Sequence, residues 1–256
     1  MGSPDTPAVF VEWVAALEAR HMSELRVPEV AKAVRALSSA YVERRRKGAH
    51  RTLGSAGKRA AFAHFYAPLH FLTTYLVVRA LGADTPSPRS ILDIGCGTGA
   101  AAAAWAIAAG GTPQVTGVDR HPWAVDETRW TYRQLRLVGR ARQGDAARLP
   151  PLAPGAAVVA AYVLNEVPGA MRERLEARLI DAVRQGARIL IIEPISRSVS
   201  PWWDDTASRV VAAGGRADNW RFSVDLPASL RVLDKAAGLD HRELTARSFY
   251  CSGLSA

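Results

Sequence analysis

The stretch SILDIGCGTGAAAAAWAIAAGG, Ser90–Gly111, decides the fold. Its first residues are the apolar run of a buried β-strand, and its alanine-rich end is typical of a helix. Between them stand Gly95, Gly97 and Gly99, which allow a tight turn because glycine adopts positive φ angles without steric cost. The helix that follows presents free N–H groups at its N-terminus. The stretch therefore predicts a turn that brings the backbone against a bound ligand.

Strand and helix patterns alternate from Ser90 onward. Predicted strands are SILDI, QVTGVD, the residues near Ala141–Gln143, AAVVAAYVL, ARILIIEP and the terminal HRELTARSFYC. Predicted helices include Thr98–Ala109, PWAVDETRWTYRQLRLV and AMRERLEARLIDAV. This alternation predicts an α/β fold with a doubly wound, mostly parallel sheet covered on both faces. The connection from Ile195 to Phe222 is interpreted as a long segment that shapes a substrate pocket.

The N-terminal part of the chain has helical periodicity throughout. The third predicted helix, KRAAFAHFYAPLHFLTTYLVVRAL, is expected to kink near Pro68 because proline cannot donate to the preceding turn. We therefore predict two regions. Residues 1–83 form a helical cap for substrate recognition, and residues 84–256 form the cofactor-binding domain.

Two features of the glycine turn discriminate between cofactors. The spacing Gly95-x-Gly97-x-x-Ala100 satisfies the dinucleotide fingerprint, which favours an NAD(P) enzyme. However, the carboxylate of Asp93 would repel a pyrophosphate and would suit a cationic group such as an amino-acid ammonium. Gly99 is a third alternating glycine that the dinucleotide pattern does not require. Together these features favour S-adenosylmethionine.

At these residues the chain resembles the class I S-adenosylmethionine-dependent methyltransferases, whose first motif is similar to LDIGCGTG. The resemblance implies a Rossmann-like methyltransferase fold with a seven-stranded sheet and a helical extension, and it implies S-adenosylhomocysteine as the product. It implies that Asp119 accepts hydrogen bonds from the ribose hydroxyls, and that Asp145 and the Ala146 N–H contact adenine. The full predicted cofactor set is Asp93, Gly95, Cys96, Gly97, Thr98, Gly99, Asp119, Arg120, Asp145, Ala146 and Tyr162.

The residues after the fourth predicted strand, AYVLNEVPG, are expected to face the transferred methyl group. Tyr162, Asn165 and Glu166 are the candidate catalytic residues. The alternative is that Tyr162 belongs to the core and Asn165 caps the next helix. The Asn/Asp-Pro-Pro-Tyr motif of enzymes that methylate exocyclic amines is absent, and so is the cysteine that cytosine-C5 chemistry needs in this loop.

Basic residues are clustered in a chain of net charge +9. Nine Lys or Arg and one acid lie between Lys32 and Arg59, and six Arg and one acid lie between Arg129 and Arg148. Such clusters indicate either a polyanion-binding face or a solvated surface. Arg129, Arg133, Arg136 and Arg140 are spaced as one stripe of a helix. The candidate substrate or RNA contacts are Arg44, Arg45, Arg46, Arg129, Arg133, Trp202 and Trp203.

A narrower resemblance concerns YVERRR, TYLVVRAL, AAYVLNEV and ILIIEP. Together with the glycine motif they look like the methyltransferase-like family associated with the small subunit of mitochondrial ribosomes, which has bacterial members. That family implies contact with RNA or the ribosomal small subunit. The chain departs from it by lacking the cysteine cluster and the glycine after IIEP.

The remaining composition limits the alternatives. Cys96 and Cys251 make no zinc spacing, and the six histidines show no metal-ligand pattern, so we expect no metal site and a reducing, cytoplasmic setting. The apolar runs are short, and we expect no membrane partner. Three functions stay open. They are methylation of RNA or a ribosomal component, methylation of a small molecule under a helical lid, and cofactor binding without turnover in an assembly factor.

Overall fold

The structure is a computed structural model that describes residues 6–43, 53–145, 152, 155–196 and 199–253. Its nine helices within these residues are α1 Ala8–His21, α2 Val27–Glu43, α3 Ala56–Ala60, α4 Ala67–Leu81, α5 Ala100–Ala108, α6 Pro122–Gln134, α7 Gly169–Arg184, α8 Trp203–Ala212 and α9 Ala228–Ala236. A π-helical segment, Ala61–Tyr66, and a 3₁₀ turn, Leu164–Glu166, complete the helical elements described.

The seven strands form one sheet. They are β1 Ser90–Ile94, β2 Gln114–Asp119, β3 Gly139–Gln143, β4 Ala156–Ala161, β5 Arg188–Glu193, β6 Arg216–Ser223 and β7 Glu243–Ser252. The order across the sheet is β3-β2-β1-β4-β5-β7-β6. Strands β1 to β5 are parallel, and β7 runs antiparallel to β5. The predicted Rossmann-like, seven-stranded architecture with an N-terminal helical extension is confirmed.

The chain divides into two compact units. One contains residues 1–72 and 222–244, and its described core includes the aromatic cluster of Phe10, Trp13 and Phe71. The other contains residues 73–221 and 245–256 and carries most of the sheet. The functional boundary predicted between residues 83 and 84 stays a prediction.

The alanine tract explains how α5 packs on the sheet. Ala100–Ala106 are all buried, including Trp105, whose indole N–H donates to the Ala83 carbonyl at 3.0 Å. Methyl side chains allow close approach of the helix to the strands, as an interior packed at crystal-like density requires. The N-terminus of α5 is thereby fixed directly behind the glycine turn.

Several local predictions are corrected by the structure. The segment Ile195–Phe222 contains α8 and most of β6, rather than one long connection. The irregularity predicted near Pro68 is a π-helical segment just before it, in which Ala67 N–H donates to Phe62 O. Proline lacks an N–H and crowds the preceding turn, which accounts for this position.

One helical stretch among the described residues, Ala56–Leu81, is long and apolar enough to cross a membrane by length and composition, with a mean hydropathy of 1.2. In the structure 78% of this window is buried. A buried core helix passes the same test, so the stretch alone is weak evidence for a membrane span.

Candidate functional site

The glycine turn joins β1 to α5 at the carboxyl end of the central strands. Gly95, Gly97 and Gly99 all adopt positive φ, at 65°, 53° and 79°. Gly95 and Cys96 donate their N–H groups to Val118 O, which ties the turn to β2. A Cβ on Gly95 would lie 2.5 Å from Val163 Cγ2, so the turn is in direct contact with the chain after β4. The conformational role predicted for these glycines is confirmed.

Asp119 ends β2 and faces the turn. Its Oδ2 accepts from Gly97 N–H at 2.9 Å, and its Oδ1 accepts from His121 N–H at 2.8 Å. The residue is half-buried, and each carboxylate oxygen has a further lone pair for a ligand hydroxyl. The predicted contact of Asp119 with the ribose hydroxyls stays a prediction.

Asp145 follows β3 and forms an ion pair with Arg120, with Oδ1 3.0 Å from Nη2. The two residues belong to the neighbouring carboxyl ends of β2 and β3, because Gly144 N–H donates to Asp119 O. The structure thus brings together Asp145 and Arg120, two members of the predicted cofactor set. Ala146, the other predicted adenine contact, lies outside the described residues.

Asp93 lies beneath the turn and is only 1% exposed. Its Oδ2 accepts from the Ala102 N–H of α5 at 3.2 Å. Burial, with a smaller contribution from the charge of Asp119, raises the pKa of this carboxyl to about 7. In this arrangement Asp93 holds the start of α5, and its predicted contact with an ammonium group stays a prediction.

Cys96 and Thr98 are both buried parts of the turn. The Cys96 thiol lies 3.2 Å from the Thr128 hydroxyl, which donates to Gly97 O at 2.9 Å. Burial raises the pKa of the thiol well above its usual value, so Cys96 is a packing residue and not a nucleophile. Thr128, on α6, therefore holds the glycine turn. The sequence pattern did not indicate this role.

Tyr162 is the residue after β4 and has an unusual backbone. Its φ is +62°, a region that costs free energy for any residue with a Cβ. Its N–H donates to Ile192 O at 2.8 Å, and its hydroxyl is hydrogen-bonded to Thr73. Burial raises the pKa of the phenol to about 12, which disfavours a role as a general base near neutral pH.

Asn165 does not cap the next helix, because the residue preceding α7 is Pro168. Its side-chain amide donates to Glu193 Oε2 at 2.6 Å and accepts from Trp202 Nε1 at 2.9 Å. Glu166 is exposed at the end of the same turn. Catalytic roles for these residues stay predictions.

Glu193 ends β5, next to the end of β4, and the sequence pattern did not indicate it as a site residue. It is fully buried, and burial raises the pKa of its carboxyl to about 8. Its Oε1 accepts from Leu164 N–H at 2.8 Å. The motif IIEP contains this residue and was the available signal for it. Its contact with Leu164, 29 residues away along the chain, depends on the strand order of the sheet and could not be predicted from spacing.

Trp202 and Trp203, both predicted to contact the substrate or RNA, lie in different environments. Trp203 is buried and stacks on Phe249 with ring centroids 3.7 Å apart, and Arg247 covers its ring at 4.3 Å. It is a core residue in this structure. Trp202 is half-buried, and the Arg172 guanidinium lies 4.7 Å from its ring centroid.

The predicted arginine stripe is not a single helical stripe. Helix α6 ends at Gln134, Arg136 adopts φ +53°, and Arg140 belongs to β3. Arg129 and Arg133 are exposed on the helix, and Arg129 pairs with Asp126 at 3.0 Å. Arg44, Arg45 and Arg46 lie outside the described residues.

The site's donors and acceptors fit S-adenosylmethionine better than a dinucleotide. The polar side chains at the carboxyl ends of β2 and β3 include the carboxylates of Asp119 and Asp145. Their cationic neighbour Arg120 pairs with Asp145, and the Gln143 amide donates to Arg120 O. Carboxylates accept from hydroxyl and amine groups, whereas a pyrophosphate requires donors. When bound, the cofactor supplies an electrophilic methyl group. The glycine turn, Asp119 and Asp145 would hold it.

Among the described residues no group of three His, Cys, Asp or Glu side chains is placed to hold a metal.

The chain is similar to known proteins over its central part. Residues 91–186 match a family model described as a methyltransferase domain. The magnesium protoporphyrin IX methyltransferase of Synechocystis, solved with bound S-adenosylmethionine, has 18% identity and a TM-score of 0.50 over 73% of this chain and 80% of that chain. A S-adenosylmethionine-dependent methyltransferase from Aquifex aeolicus has 15% identity and a TM-score of 0.47 over 69% and 88%. A search of curated protein sequences finds no match.

The sheet order is that of the Rossmann-like methyltransferase fold, and the residues that match the family model include the glycine turn, Asp119 and Asp145. Residues 91–186 therefore carry a methyltransferase domain, in a fold shared with a solved S-adenosylmethionine-dependent methyltransferase.

Proposed function

We propose that this methyltransferase acts on RNA, with rRNA or a ribosome-associated RNA as its target. The observation that carries the proposal is a group of exposed arginines on the edge strand β3 and at the preceding end of α6. We call this surface the basic edge; its residues are Arg133, Arg136, Arg140 and Arg142. The narrower resemblance to the family associated with the ribosomal small subunit supports the same target.

The basic edge has arginines on both faces of the sheet. A Cβ on Gly139 would lie 2.5 Å from Tyr132 of α6, so odd-numbered positions of β3 face α6. Arg140 and Arg142 alternate with them and therefore project from the opposite face. Arg133 and Arg136 lie at the end of α6. Edge strands need positive charge to avoid pairing with other strands, but arginines on both faces also suit a phosphate backbone.

Charge neutralisation is limited at the basic edge. The ion pairs of this region that the structure describes are Arg129–Asp126 and Arg120–Asp145, and neither involves a basic-edge arginine. A chain of net charge +9 that leaves these cations exposed attracts polyanions. Tyr132, an aromatic residue of α6 next to β3, is buried and offers no surface for stacking of a base.

The binding test compares two triple variants that change the net charge equally. The first is R133Q/R140Q/R142Q at the basic edge. The control is R184Q/R231Q/R242Q, at exposed arginines that each pair with an aspartate. Each lost phosphate contact lowers the salt slope of RNA binding by about 0.7 for single strands, so we expect a decrease of about 2 in the first variant only. Equal slopes in the two variants would overturn this role of the basic edge.

The acceptor test uses S-adenosylmethionine labelled in its methyl group, with RNA, protein and metabolite fractions from cells. Label in RNA, lost when ribonuclease precedes the reaction, supports the proposal. Label in metabolites would instead identify a small-molecule methyltransferase with a helical lid. Cofactor binding without labelling of any fraction would identify an assembly factor without turnover. Removal of Arg44–Arg46, also predicted to weaken RNA binding, extends the test to the other basic cluster.

A further inference from the structure

The carboxylate of Glu193 holds the turn that follows β4. Glu193 is fully buried and accepts two hydrogen bonds, from Leu164 N–H at 2.8 Å and from Asn165 Nδ2 at 2.6 Å. Both donors belong to the 3₁₀ turn Leu164–Glu166. The end of β5 therefore fixes the backbone and a side chain of the segment between β4 and α7.

Asn165 continues the connection to Trp202. Its Oδ1 accepts from the indole N–H at 2.9 Å, and the Arg172 guanidinium of α7 covers the indole ring. Glu193, Asn165 and Trp202 thus form a chain of hydrogen bonds that joins β5, the turn after β4 and the start of α8. We call these three residues the Glu193 relay.

The relay has a fixed direction. Above its pKa of about 8 the Glu193 carboxyl is ionised and only accepts, and an indole N–H only donates. Asn165 must therefore present its NH₂ group to Glu193 and its oxygen to Trp202. An amide at position 193 would present a second NH₂ group to Asn165 and break this order.

The held segment contacts the cofactor site. Tyr162 has the strained φ of +62°, and Ile192 and Glu193 hold it and the following residues from β5. Val163 lies between them and packs directly on Gly95 of the glycine turn, so close that a Cβ on Gly95 would collide with it. Strained backbone persists only where its surroundings over-determine it, and it clusters at functional sites.

We propose that the Glu193 relay positions residues 162–165 against the glycine turn and couples bound S-adenosylmethionine to Trp202. Glu193 is a positioning residue, since its carboxylate is buried away from any ligand and acts through Leu164 and Asn165. Cofactor affinity then depends on the direction of the relay, and the environment of the Trp202 indole reports on the cofactor. The proposal requires cofactor binding but not an RNA acceptor.

The test is a double-mutant cycle read by cofactor binding and by the Trp202 indole resonance. E193Q sets two NH₂ groups against each other, and N165D sets two carboxylates against each other. We expect each to weaken S-adenosylmethionine binding at least about 10-fold, in line with a lost hydrogen bond to a charged group. In E193Q/N165D the amide stands at position 193 and the carboxylate at position 165, so one group again donates and the other accepts. We therefore expect binding within about threefold of wild type.

The measurements are calorimetric titration with S-adenosylmethionine and ¹H–¹⁵N spectra of the indole groups. A W202F variant assigns the Trp202 resonance, which should move on cofactor addition in wild type and in the double variant. Titrations at about pH 9 keep the Glu193 carboxyl ionised in the wild type.

The control is D234N, at a second buried acid, whose Oδ2 accepts from His241 N–H at 2.8 Å. It should lower stability without changing cofactor affinity, because its partner is His241 and not a residue of the relay. Folded E193Q that binds like wild type, or a double variant as weak as the single variants, would overturn the proposal. If E193Q and N165D do not fold, W202F decides. Weaker binding of at least about threefold supports the relay, and unchanged binding overturns it.

Discussion

Asp119 Oδ2 accepts a hydrogen bond from the backbone N–H of Gly97 at 2.9 Å. One carboxylate therefore both shapes the glycine turn and is the residue predicted to bind the cofactor ribose. Its second oxygen holds His121 N–H, at the start of α6. Because the turn and the acid support each other, changes at either are expected to affect cofactor binding and local stability together.

Gly95 packs against Val163, so a side chain at position 95 should lower stability through a steric collision as well as through its positive φ. Gly186 also has positive φ but has open space around its Cβ position, so G186A should cost only about 1–2 kcal/mol. G95A adds the collision with Val163 and should cost at least about 1 kcal/mol more. Urea unfolding of both variants measures the difference. G95A/V163A should recover part of it, and equal costs for G95A and G186A would contradict the packing described.

The raised pKa of Asp93 predicts a particular pH dependence of stability. A carboxyl with a folded-state pKa of about 7 binds a proton in the folded chain over a range where the unfolded chain, with a pKa near 3.9, does not. Its contribution to the free energy of unfolding therefore falls as the pH rises from about 4 to about 7, by up to about 4 kcal/mol. Asparagine does not titrate.

The measurement for Asp93 is urea unfolding of wild type and D93N at about pH 5 and pH 8. Relative to wild type, D93N should be more stable at the higher pH than at the lower. D240N, at an exposed acid paired with Arg242, is the control and should give the same difference at both values. A pH-independent difference between D93N and wild type would contradict the burial of an unusually protonated acid.

Stacking of Trp203 on Phe249 predicts a stability role and no specific role in substrate contact. W203A should lower the free energy of unfolding by about 3–5 kcal/mol because it removes a large buried side chain. V211A, at an exposed valine of the same helix, should change it by less than about 0.5 kcal/mol. RNA binding by the folded fraction of W203A at low temperature should match wild type. Stable W203A with impaired RNA binding would show that Trp203 contacts substrate.

Arg136 ends α6 in a left-handed conformation that glycine adopts without strain. Leu137 N–H donates to Tyr132 O at 2.9 Å, which closes the helix end around this residue. R136G should therefore raise stability by about 1 kcal/mol, whereas R133G, inside the helix, should lower it by about 1 kcal/mol. Thermal unfolding of the two variants gives the comparison. A destabilised R136G would mean that the arginine side chain holds the helix end.

The strands of the sheet could be predicted where their hydrophobic pattern matches their burial in the fold. Ser90–Gly111 carries a buried strand, three turn glycines and a helix in one run, and the structure has them in that order. Asp119 could also be predicted, since strand order brings the ends of β1 and β2 together. The segment before Phe222 was less informative because β6 alternates exposed and half-buried residues and lies at the sheet edge.

The partners of the site residues could not be predicted from spacing. Asn165 and Glu193 are 28 residues apart, and their contact depends on β4 pairing with β5. The helical stripe of arginines was wrong because the sequence does not mark Arg136 as a helix end, where glycine would ordinarily do so. Burial of Asp93 likewise depends on where α5 packs.

The central claim is that the glycine turn and Asp119 bind S-adenosylmethionine. Calorimetric titration of the purified chain with S-adenosylmethionine, with NADH as the competing dinucleotide, tests it directly. We predict one site for S-adenosylmethionine and none for NADH, and a loss of at least about 10-fold in affinity for D119A but not for D126N, at an exposed acid on α6. Binding of NADH in place of S-adenosylmethionine, or unchanged affinity in folded D119A, would contradict the account.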